Sequence, residues 1–467
     1  MSTPFAALIL AAGKGTRMKS DRPKVLHEVC GVSMIRHAID CALAAGAERV
    51  VPVIGHGAEQ VRAVAEAAPG TVTCVVQEQQ LGTGHAVRVC EAELGGYPHP
   101  VLILNGDVPL ITPDLLTDVL AHHRKSGGGI TVVTVQLDDP TGYGRMVRGK
   151  GGDLERVVEQ KDASPEERAV REVNTGIYVA DPQVLFPLLA RVSDNNAQGE
   201  YYLTDIVGLS LADGRVVHVY RATDPDLVLG VNSRRDLAQV SAVLRRRIHN
   251  RLMDEGVTLL DPSRTDIDAG VRIGPDTVIH PGVTLQGATV IGVNCEILPG
   301  TRIVDATLGD GITVKDNCLI DGATLAGHNT VGPMAHLRPG TALAQGAKIG
   351  NFVEIKKADI GVGSKVNHLS YVGDATVGKG VNIGAGTITC NYDGVNKFQT
   401  VIGDHVFVGS DTQLVAPVTV GEGATIGAGT TVTRDVPADA LAVSRTEQKN
   451  VAGWAKRRRQ PQSKKEP

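Results

Sequence analysis

The hydrophobic pattern of the C-terminal half repeats every six residues, with Gly, Pro or small polar residues between the aliphatic positions. A fixed six-residue period predicts a hexapeptide parallel β-helix, in which each unit is a short strand plus a turn. The aliphatic positions, which would point inward, are Ile267, Ile273, Ile279, Leu285, Ile291, Ile297, Ile303, Leu308, Val314, Ile320, Val331, Leu337, Leu343, Ile349, Ile355, Ile360, Val366, Val372, Val377, Ile383, Ile402, Val408, Leu414, Val420, Ile426 and Val432.

Three such units make one coil, so the stretch predicts roughly nine or ten coils. The segment TCNYDGVNKFQT, which starts at Thr389, is the long interruption of the repeat. The alternative, a β-sandwich, would show strands that alternate at period two and are separated by longer intervals.

The N-terminal half alternates short apolar runs with amphipathic stretches. This alternation predicts an α/β domain with a mostly parallel sheet, whose ligands lie at the carboxyl ends of the strands. The apolar runs cover residues 5–12, 49–55, 71–77, 100–107, 130–137 and 175–181.

A stretch without Gly or Pro, residues 233–254, joins the two halves. Its apolar residues lie three and four positions apart, which predicts one helix of about 22 residues. Ser233 can cap this helix and Gly256 can end it. The predicted domains are residues 1–232, a linker helix 233–255, a β-helix 256–446 and a tail 447–467. The basic, proline-containing end of the tail predicts disorder.

Composition supports this organisation. The chain has 55 glycines but only 3% aromatic residues, as expected of a β-helix core built from aliphatic side chains. A net charge of −4 gives no indication of a nucleic-acid partner. Without a long apolar run or a signal peptide we expect no membrane partner, and seven cysteines without CxxC pairs favour reduced thiols in the cytoplasm.

Two features of the N-terminal half are candidates for nucleotide chemistry. The first strand leads into a loop from Gly13 to Met18, whose main-chain N–H groups could hold a phosphate together with the charges of Lys14, Arg17 and Lys24. Asp107 follows an apolar strand, where a carboxylate can bind Mg²⁺ beside a nucleotide. The alternatives are an ordinary tight turn for the loop and a helix-capping role for Asp107.

The order of short motifs along the chain is specific. The N-terminal half carries LAAGKGTRM, PKVLH, QLGTGHA, NGDVPL, YGR, EVNTGIY, EYYLTD and GVNSRRDLA, and the β-helix carries LRPGT, GNFVEIKKA, HLSYVGDA, NIGAGTITCNYDG and VGSDTQLVAP. Together they resemble the bacterial bifunctional N-acetylglucosamine-1-phosphate uridyltransferase / glucosamine-1-phosphate N-acetyltransferase family. The resemblance implies a Rossmann-like nucleotidyltransferase domain, joined by the long helix to a left-handed parallel β-helix.

For uridyl transfer, the resemblance implies that Arg17 and Lys24 offset the charge of the triphosphate and that Asp107 and Asn232 hold Mg²⁺. Gln77, Gly82 and Thr83 would contact uracil, and Gly144, Glu159 and Asn174 the sugar. The full set implied for UTP and UDP-N-acetylglucosamine is Leu10, Ala11, Ala12, Gly13, Lys24, Gln77, Gly82, Thr83, Asn105, Asp107, Gly144, Glu159, Asn174 and Asn232. By its sequence context alone, Glu159 is equally typical of a surface carboxylate.

Acetyl transfer requires a base for the attacking amine, and histidine is the side chain that ordinarily titrates near neutrality. The resemblance assigns this role to His368, and Glu354, about one coil earlier, is a candidate to orient the imidazole. The residues implied to bind glucosamine 1-phosphate are Arg338, Lys356, Tyr371 and Asn382. Those implied at acetyl-CoA are Ala385, Asn391, Tyr392, Ser410, Ala428 and Arg445, of which Tyr392 could also contact the sugar phosphate.

The implied pathway is the synthesis of UDP-N-acetylglucosamine for peptidoglycan and lipopolysaccharide, with UTP, N-acetylglucosamine 1-phosphate, glucosamine 1-phosphate and acetyl-CoA as substrates. The resemblance also implies a homotrimer with the acetyl-CoA cleft between subunits. Two other hypotheses stay open. One is a single-activity sugar-1-phosphate nucleotidyltransferase whose β-helix only oligomerises, and the other is a hexapeptide scaffold that merely binds nucleotide.

Overall fold

A computed structural model describes residues 4–445 and 447–459. The chain forms two compact units, Met1–Ile248 and His249–Pro467. Their boundary in the sequence lies within a helix that spans Arg234–Asp254, the stretch that the sequence predicts to be the linker.

The strands of the first unit are β1 (Ala6–Ala11), β2 (Glu28–Val29), β3 (Val32–Ser33), β4 (Arg49–Ile54), β5 (Val75–Val76), β6 (Val101–Asn105), β7 (Ile130–Gln136), β8 (Gly144–Arg148), β9 (Leu154–Val158), β10 (Glu172–Ala180) and β11 (Val217–Arg221). Nine of them form one sheet in the order β11-β7-β10-β6-β1-β4-β5, with β8 paired to β10 and β9 paired to β8. β1 runs parallel to β4 and β6, while β10 runs antiparallel to β6 and β7. A separate hairpin is formed by β2 and β3.

The α-helices of this unit are α1 (Met34–Ala44), α2 (Ala58–Glu66), α3 (Thr83–Arg88), α4 (Glu91–Leu94), α5 (Pro113–Lys125), α6 (Pro165–Arg168), α7 (Pro182–Leu189), α8 (Asp205–Ala212) and α9 (Arg234–Asp254). Short 3₁₀ helices span Thr16–Met18, Lys24–Leu26 and Pro225–Val228. Among the described residues, no helix is both long and apolar enough to span a membrane.

Alternate residues of β1 enter the hydrophobic cores on the two faces of the sheet. Ala7 and Ile9 belong to one core, and Ala6 and Leu8 to the other, and all four are fully buried. A strand buried on both faces explains the continuous apolar run in the sequence, because neither face contacts water.

The start of α9 is held firmly against the nucleotide loop. The Asp236 carboxylate accepts from the backbone N–H groups of Asn232 and Ser233, each at 2.9 Å, and the Ser233 hydroxyl accepts from Asp236 N at 3.2 Å. This reciprocal pair is a capping box. Val240 of the helix packs in one apolar cluster with Met18, at the end of the loop. The helix therefore fixes the position of Asn232.

The second unit is a parallel β-helix built from short strands in two sheets. One sheet has 11 strands: Thr258–Leu259, Val278–Ile279, Glu296–Ile297, Thr313–Val314, Thr330–Val331, Lys348–Asn351, Lys365–His368, Asn382–Ile383, Phe407–Val408, Thr425–Ile426 and Leu441–Ala442. The other has 17: Asp266–Ile267, Arg272–Ile273, Thr284–Gln286, Val290–Ile291, Arg302–Val304, Thr307–Leu308, Leu319–Asp321, Thr324–Leu325, His336–Leu337, Ala342–Leu343, Glu354–Ile360, Tyr371–Val377, Ile388–Cys390, Thr400–Ile402, Gln413–Val415, Val418–Val420 and Thr431–Val432. A 3₁₀ helix spans Pro262–Arg264.

The six-residue pattern is confirmed. Every predicted inward position is at most 7% exposed, and each strand pairs in parallel with the strand one coil later, as Asp266 does with Thr284. Leu325 is also 1% exposed, although it lies five residues after Ile320 and the six-residue count misses it.

The predicted interruption is a loop that leaves the coil and returns to it. Ala375 pairs with Thr400, whereas pairs one coil earlier, such as Ala358 with Ala375, are separated by only 17 positions. The extra residues form a small hairpin closed by a bridge between Tyr392 and Lys397. In the predicted tail, the described residues include a short exposed helix, Trp454–Arg459, and residues 460–467 lie outside the described part.

A pair of leucines tests the inward packing. Leu337 is fully buried and Leu319 is 37% exposed. We expect Leu337→Ala to cost about 2–5 kcal/mol of unfolding free energy, because it leaves a cavity, and Leu319→Ala to cost less than about 1 kcal/mol. Urea denaturation followed by circular dichroism measures both. Equal losses would contradict the assigned inward and outward faces.

Candidate active sites

The candidate nucleotide-binding residues lie at the carboxyl ends of neighbouring strands. Leu10 and Ala11 end β1, Asn105 ends β6, and Gln77 directly follows β5. Leu10 pairs with Asn105 in register. Ala12 and Gly13 continue from β1 into the loop, so the implied nucleotide residues share one edge of the sheet, as the sequence predicts.

Lys24 connects the two residues predicted to hold a metal. Its ammonium donates to the Asp107 carboxylate and, at 2.7 Å, to Asn232 Oδ1. Arg17 Nη2 also donates to Asn232 Oδ1, at 2.9 Å. Residues from three distant parts of the chain therefore converge on one point, where carboxylate and amide oxygens surround a positive charge.

Gly15 allows the loop to approach Lys24. Its φ is +61°, in the left-handed region, and a Cβ at this position would lie 2.5 Å from Lys24 Cβ. Any other residue would therefore both strain the backbone and displace Lys24.

The three candidate sugar-binding residues also meet. Gly144 pairs with Asn174 across β8 and β10. A Cβ on Gly144 would lie 3.6 Å from both Glu159 Oε1 and Asn174 Cβ. The Thr204 hydroxyl donates to Glu159 Oε1 at 3.3 Å. Burial is the main cause that raises the pKa of the Glu159 carboxyl, so this residue is not an ordinary surface carboxylate.

Asn105 is held beside this group. Its Nδ2 donates to the Thr175 carbonyl at 3.4 Å, and it lies against Gly176, whose φ of +78° and missing side chain make room for the amide. Near β5, Gln77 contacts the Gly82 carbonyl and His85, and the Thr83 hydroxyl accepts from Leu203 N at 3.0 Å.

In the β-helix, Asn351 contacts His368. The two residues pair one coil apart, and His368 Nδ1 lies 2.8 Å from Asn351 Oδ1. An amide oxygen only accepts, so Nδ1 is the donor, and in the neutral ring Nε2 then carries the lone pair. Glu354, the residue considered for this role from sequence, instead accepts from Arg338 Nη1 at 2.8 Å.

The candidate glucosamine 1-phosphate residues lie on neighbouring coils. Glu354 pairs with Tyr371, and Lys356 with Gly373. The Tyr371 ring lies so close to Gly373 that a Cβ there would overlap its hydroxyl. Asn382 begins a strand in the same sheet as His368.

Four candidate residues follow equivalent turn positions on successive coils. His368, Ala385, Ser410 and Ala428 come directly after Asn367, Gly384, Gly409 and Gly427. A Cβ on Gly384 would lie 2.6 Å from Ser410 N, and one on Gly409 would lie 2.5 Å from Ala428 N. Arg445 Nε donates to the Ala428 carbonyl at 3.3 Å, which extends this row.

The interrupting loop contains the last two candidates. The Asn391 amide donates to the Asp374 carboxylate and is nearly buried. The Tyr392 side chain is 59% exposed, and its hydroxyl donates to the Gly394 carbonyl. Only Tyr392 of this pair presents its side chain to solvent.

Comparison with known proteins decides the family. The Nucleotidyl transferase model matches residues 6–225, and the Bacterial transferase hexapeptide (six repeats) model matches residues 399–434. The chain is 52% identical to the bifunctional protein GlmU of Pelobacter propionicus over 96% of this chain and 97% of that protein. The chain belongs to the bifunctional GlmU family. The bifunctional protein GlmU of Trichlorobacter lovleyi is 52% identical over 97% and 98% of the two chains, and that of an Exiguobacterium species is 48% identical over 97% and 99%.

GlmU relatives match across both units, which favours the bifunctional enzyme of UDP-N-acetylglucosamine synthesis over a single-activity nucleotidyltransferase. This membership confirms the family and the left-handed β-helix that the motifs imply. A solved structure of UDP-glucose pyrophosphorylase complexed with UDP-glucose covers 52% of this GlmU chain and all of its own, at 20% identity and a TM-score of 0.43.

Three residues that the sequence analysis did not assign to a site contact or adjoin candidate site residues of this GlmU chain. Asn351 contacts His368, and His85 contacts Gln77. Arg145 is 1% exposed and donates to the Tyr143 carbonyl and, at 2.7 Å, to Gln160 Oε1. A 17-residue separation, equal to one coil, could have indicated Asn351. His85 and Arg145 lie within the quoted motifs QLGTGHA and YGR, but the motifs do not indicate which residues these side chains contact.

The raised pKa of Glu159 gives a stability prediction. Relative to Glu159→Gln, the parent should lose stability as the pH rises from the ordinary glutamate value of 4.5 through the raised pKa, because the folded state disfavours the charged form. Melting temperatures of both proteins between pH 4.5 and 7.5 measure this. Glu155→Gln, at a side chain that is 54% exposed, is the control. A difference that does not change with pH would contradict the burial of Glu159.

Proposed function

We propose that the site residues described above carry out the two GlmU reactions, each within its own unit. In the β-helix, the amine of glucosamine 1-phosphate attacks the thioester of acetyl-CoA and the CoA thiol leaves. In the α/β unit, a phosphate oxygen of N-acetylglucosamine 1-phosphate attacks the α-phosphorus of UTP and pyrophosphate leaves. The observation that most supports the second assignment is the convergence of Lys24, Asp107 and Asn232.

Uridyl transfer depends mainly on positioning and charge neutralisation. Lys24 and Arg17 lie where they can neutralise the triphosphate as it approaches the loop. The negative charge of the triphosphate would compete with Asp107 for the Lys24 ammonium. At the strand ends, Leu10 to Gly13 and Asn105 would pack around the nucleotide. The sugar would contact Gly144, Glu159 and Asn174. Uracil would contact Gln77, Gly82 and Thr83.

The donor set fits Mg²⁺. Asp107 and Asn232 would supply oxygen ligands, and their side-chain oxygens already accommodate a cation, the Lys24 ammonium. Among the described residues, no group of three or more His, Cys, Asp or Glu could hold a metal ion. Phosphate oxygens and water would therefore complete the coordination. When bound, Mg²⁺ supplies charge neutralisation at the phosphates.

For acetyl transfer, His368 Nε2 accepts a proton from the attacking amine, while the Nδ1–H donates to Asn351. Arg338 and Lys356 bind the phosphate of the sugar, with Tyr371 and Asn382 beside it. The row Ala385, Ser410, Ala428 and Arg445 binds acetyl-CoA, with Asn391 and Tyr392 at its edge. This assignment is supported by the common coil edge on which His368 and the row lie.

Two substitutions separate the activities. His368→Ala should lower acetyl transfer by about 10²-fold or more and leave uridyl transfer within about twofold, because it removes the base of one unit only. Asp107→Ala should lower uridyl transfer and leave acetyl transfer nearly unchanged. His280→Ala, at a histidine paired with Glu296 elsewhere on the β-helix, is the control. CoA thiol release and pyrophosphate release measure the two reactions. Loss of both activities in either variant would contradict separate sites.

We also propose a homotrimer whose subunits cover the edge beside His368. Met334, Phe352 and Leu369 occupy equivalent turn positions on three coils, have positive φ angles and are 48%, 56% and 66% exposed. Exposed apolar side chains in a row favour contact with another copy. The other partners that we propose are the small-molecule substrates. We propose that the protein works in the cytoplasm and binds neither nucleic acid nor a membrane.

Met334→Asp tests this assembly. We expect it to reduce the molar mass in light scattering and to lower acetyl transfer more than tenfold, because burying a carboxylate at an apolar contact is costly. Uridyl transfer should change much less. Full acetyl transfer by a monomer would show that the cleft does not require a partner subunit, and equal loss of both activities would contradict a dependence on assembly that is specific to acetyl transfer.

A further inference from the structure

The Gln77 side chain is held in one orientation. It is 3% exposed, and its Nε2 lies 3.1 Å from the Gly82 carbonyl oxygen and 2.9 Å from His85 Nδ1. A carbonyl oxygen only accepts hydrogen bonds, so the amide atom that faces Gly82 must be the nitrogen. The two N–H groups of Gln77 are then directed at Gly82 and at His85.

The Gln77 contact determines which ring nitrogen of His85 accepts. Because the Gln77 nitrogen only donates, His85 Nδ1 is the acceptor, and in the neutral ring the proton lies on Nε2. Burial, with a smaller contribution from Arg88, lowers the pKa of His85 and favours the neutral ring. The centroid of the His85 ring lies 6.4 Å from that of the Tyr201 ring, and the Arg88 guanidinium carbon lies 5.0 Å from the Tyr201 ring centroid.

The oxygen of the Gln77 amide is left as an acceptor. Within residues 4–445 and 447–459, no donor lies within hydrogen-bond distance of Gln77 Oε1. Uracil and cytosine differ at the ring nitrogen N3, which donates in uracil and accepts in cytosine. An amide oxygen that faces N3 therefore binds uracil and repels cytosine.

We propose that His85 is a positioning residue that makes the uridyltransferase select uracil over cytosine nucleotides, by holding Gln77 with its oxygen towards the base. This inference depends on the proposed contact between Gln77 and uracil. The Gly82 carbonyl alone supplies one acceptor, and the terminal amide torsion has a broad, roughly twofold preference. The second acceptor at His85 makes the flipped amide unfavourable, because flipping would place two acceptors against Oε1.

The test is the ratio of kcat/KM for UTP to that for CTP, with N-acetylglucosamine 1-phosphate as the second substrate. His85→Phe keeps the ring but removes the acceptor, so the ratio should fall about tenfold, the effect of one buried hydrogen bond. The change should lie mainly in KM. His85→Asn, which can place an amide oxygen near the position of Nδ1, should restore much of the ratio.

Gln77→Leu and the double variant Gln77→Leu with His85→Phe distinguish the possible failures. If Gln77→Leu leaves the ratio unchanged, the proposed uracil contact itself is wrong. If Gln77→Leu lowers the ratio and His85→Phe does not, the inference about His85 is overturned. In the double variant, the His85 substitution should have no further effect on the ratio, as expected of residues that act as one unit.

Equal losses of activity with UTP and CTP in His85→Phe would show a merely structural role and would also overturn the inference. Tyr201→Phe retains the neighbouring ring and should leave the ratio unchanged. Acetyl transfer by the same preparations, which uses the other unit, verifies that each variant is folded. Should His85→Phe not fold, His85→Leu removes the same acceptor with a smaller side chain, and the same fall in the ratio is expected.

Discussion

The main-chain register between successive coils determines where every outward side chain of the β-helix lies. Each strand pairs with the strand one coil later, and the turns stack so closely that a Cβ on Gly350 would overlap the Asn367 carbonyl. Because the stacking leaves no freedom to shift, the residues after the stacked turns form a straight row from Asn351 through His368 to Ala428. The geometry proposed for acetyl transfer is thus a direct consequence of the repeat, since no separate loop is needed to bring Asn351 to His368.

The α/β unit positions its candidate site residues in a different way. The carboxyl ends of its parallel strands lie at one edge of the sheet, and long-range ion pairs and helix caps hold the side chains there. Lys24 joins Asp107 to Asn232, while the Asp236 carboxylate accepts from the backbone N–H groups of Asn232 and Ser233, just before α9 begins at Arg234. Removal of Lys24 would leave the Asp107 carboxylate without its ion-pair partner, and removal of the Asp236 side chain would leave two backbone donors without their acceptor. The nucleotide edge therefore behaves as one connected polar network.

Much of the architecture could be predicted from the sequence, because its physical cause is periodic. Inward residues such as Ile297 and Leu337 were identifiable by spacing alone, and Leu325 was missed only because its turn is one residue shorter. The strand-end location of Asp107 followed from its apolar run, whereas its partnership with Asn232 came from family resemblance. Asn351 and His85 were missed, because their roles depend on coil pairing and on the direction of an amide, neither of which a local pattern encodes.

The central claim is that one chain carries two separate active sites. The most direct measurement uses the purified full chain in two assays: pyrophosphate release from UTP and N-acetylglucosamine 1-phosphate, and CoA thiol release from acetyl-CoA and glucosamine 1-phosphate. We predict both signals, and UDP-N-acetylglucosamine when glucosamine 1-phosphate, acetyl-CoA and UTP are supplied together. Pyrophosphate without thiol release would contradict the account and reduce the β-helix to an oligomerisation module.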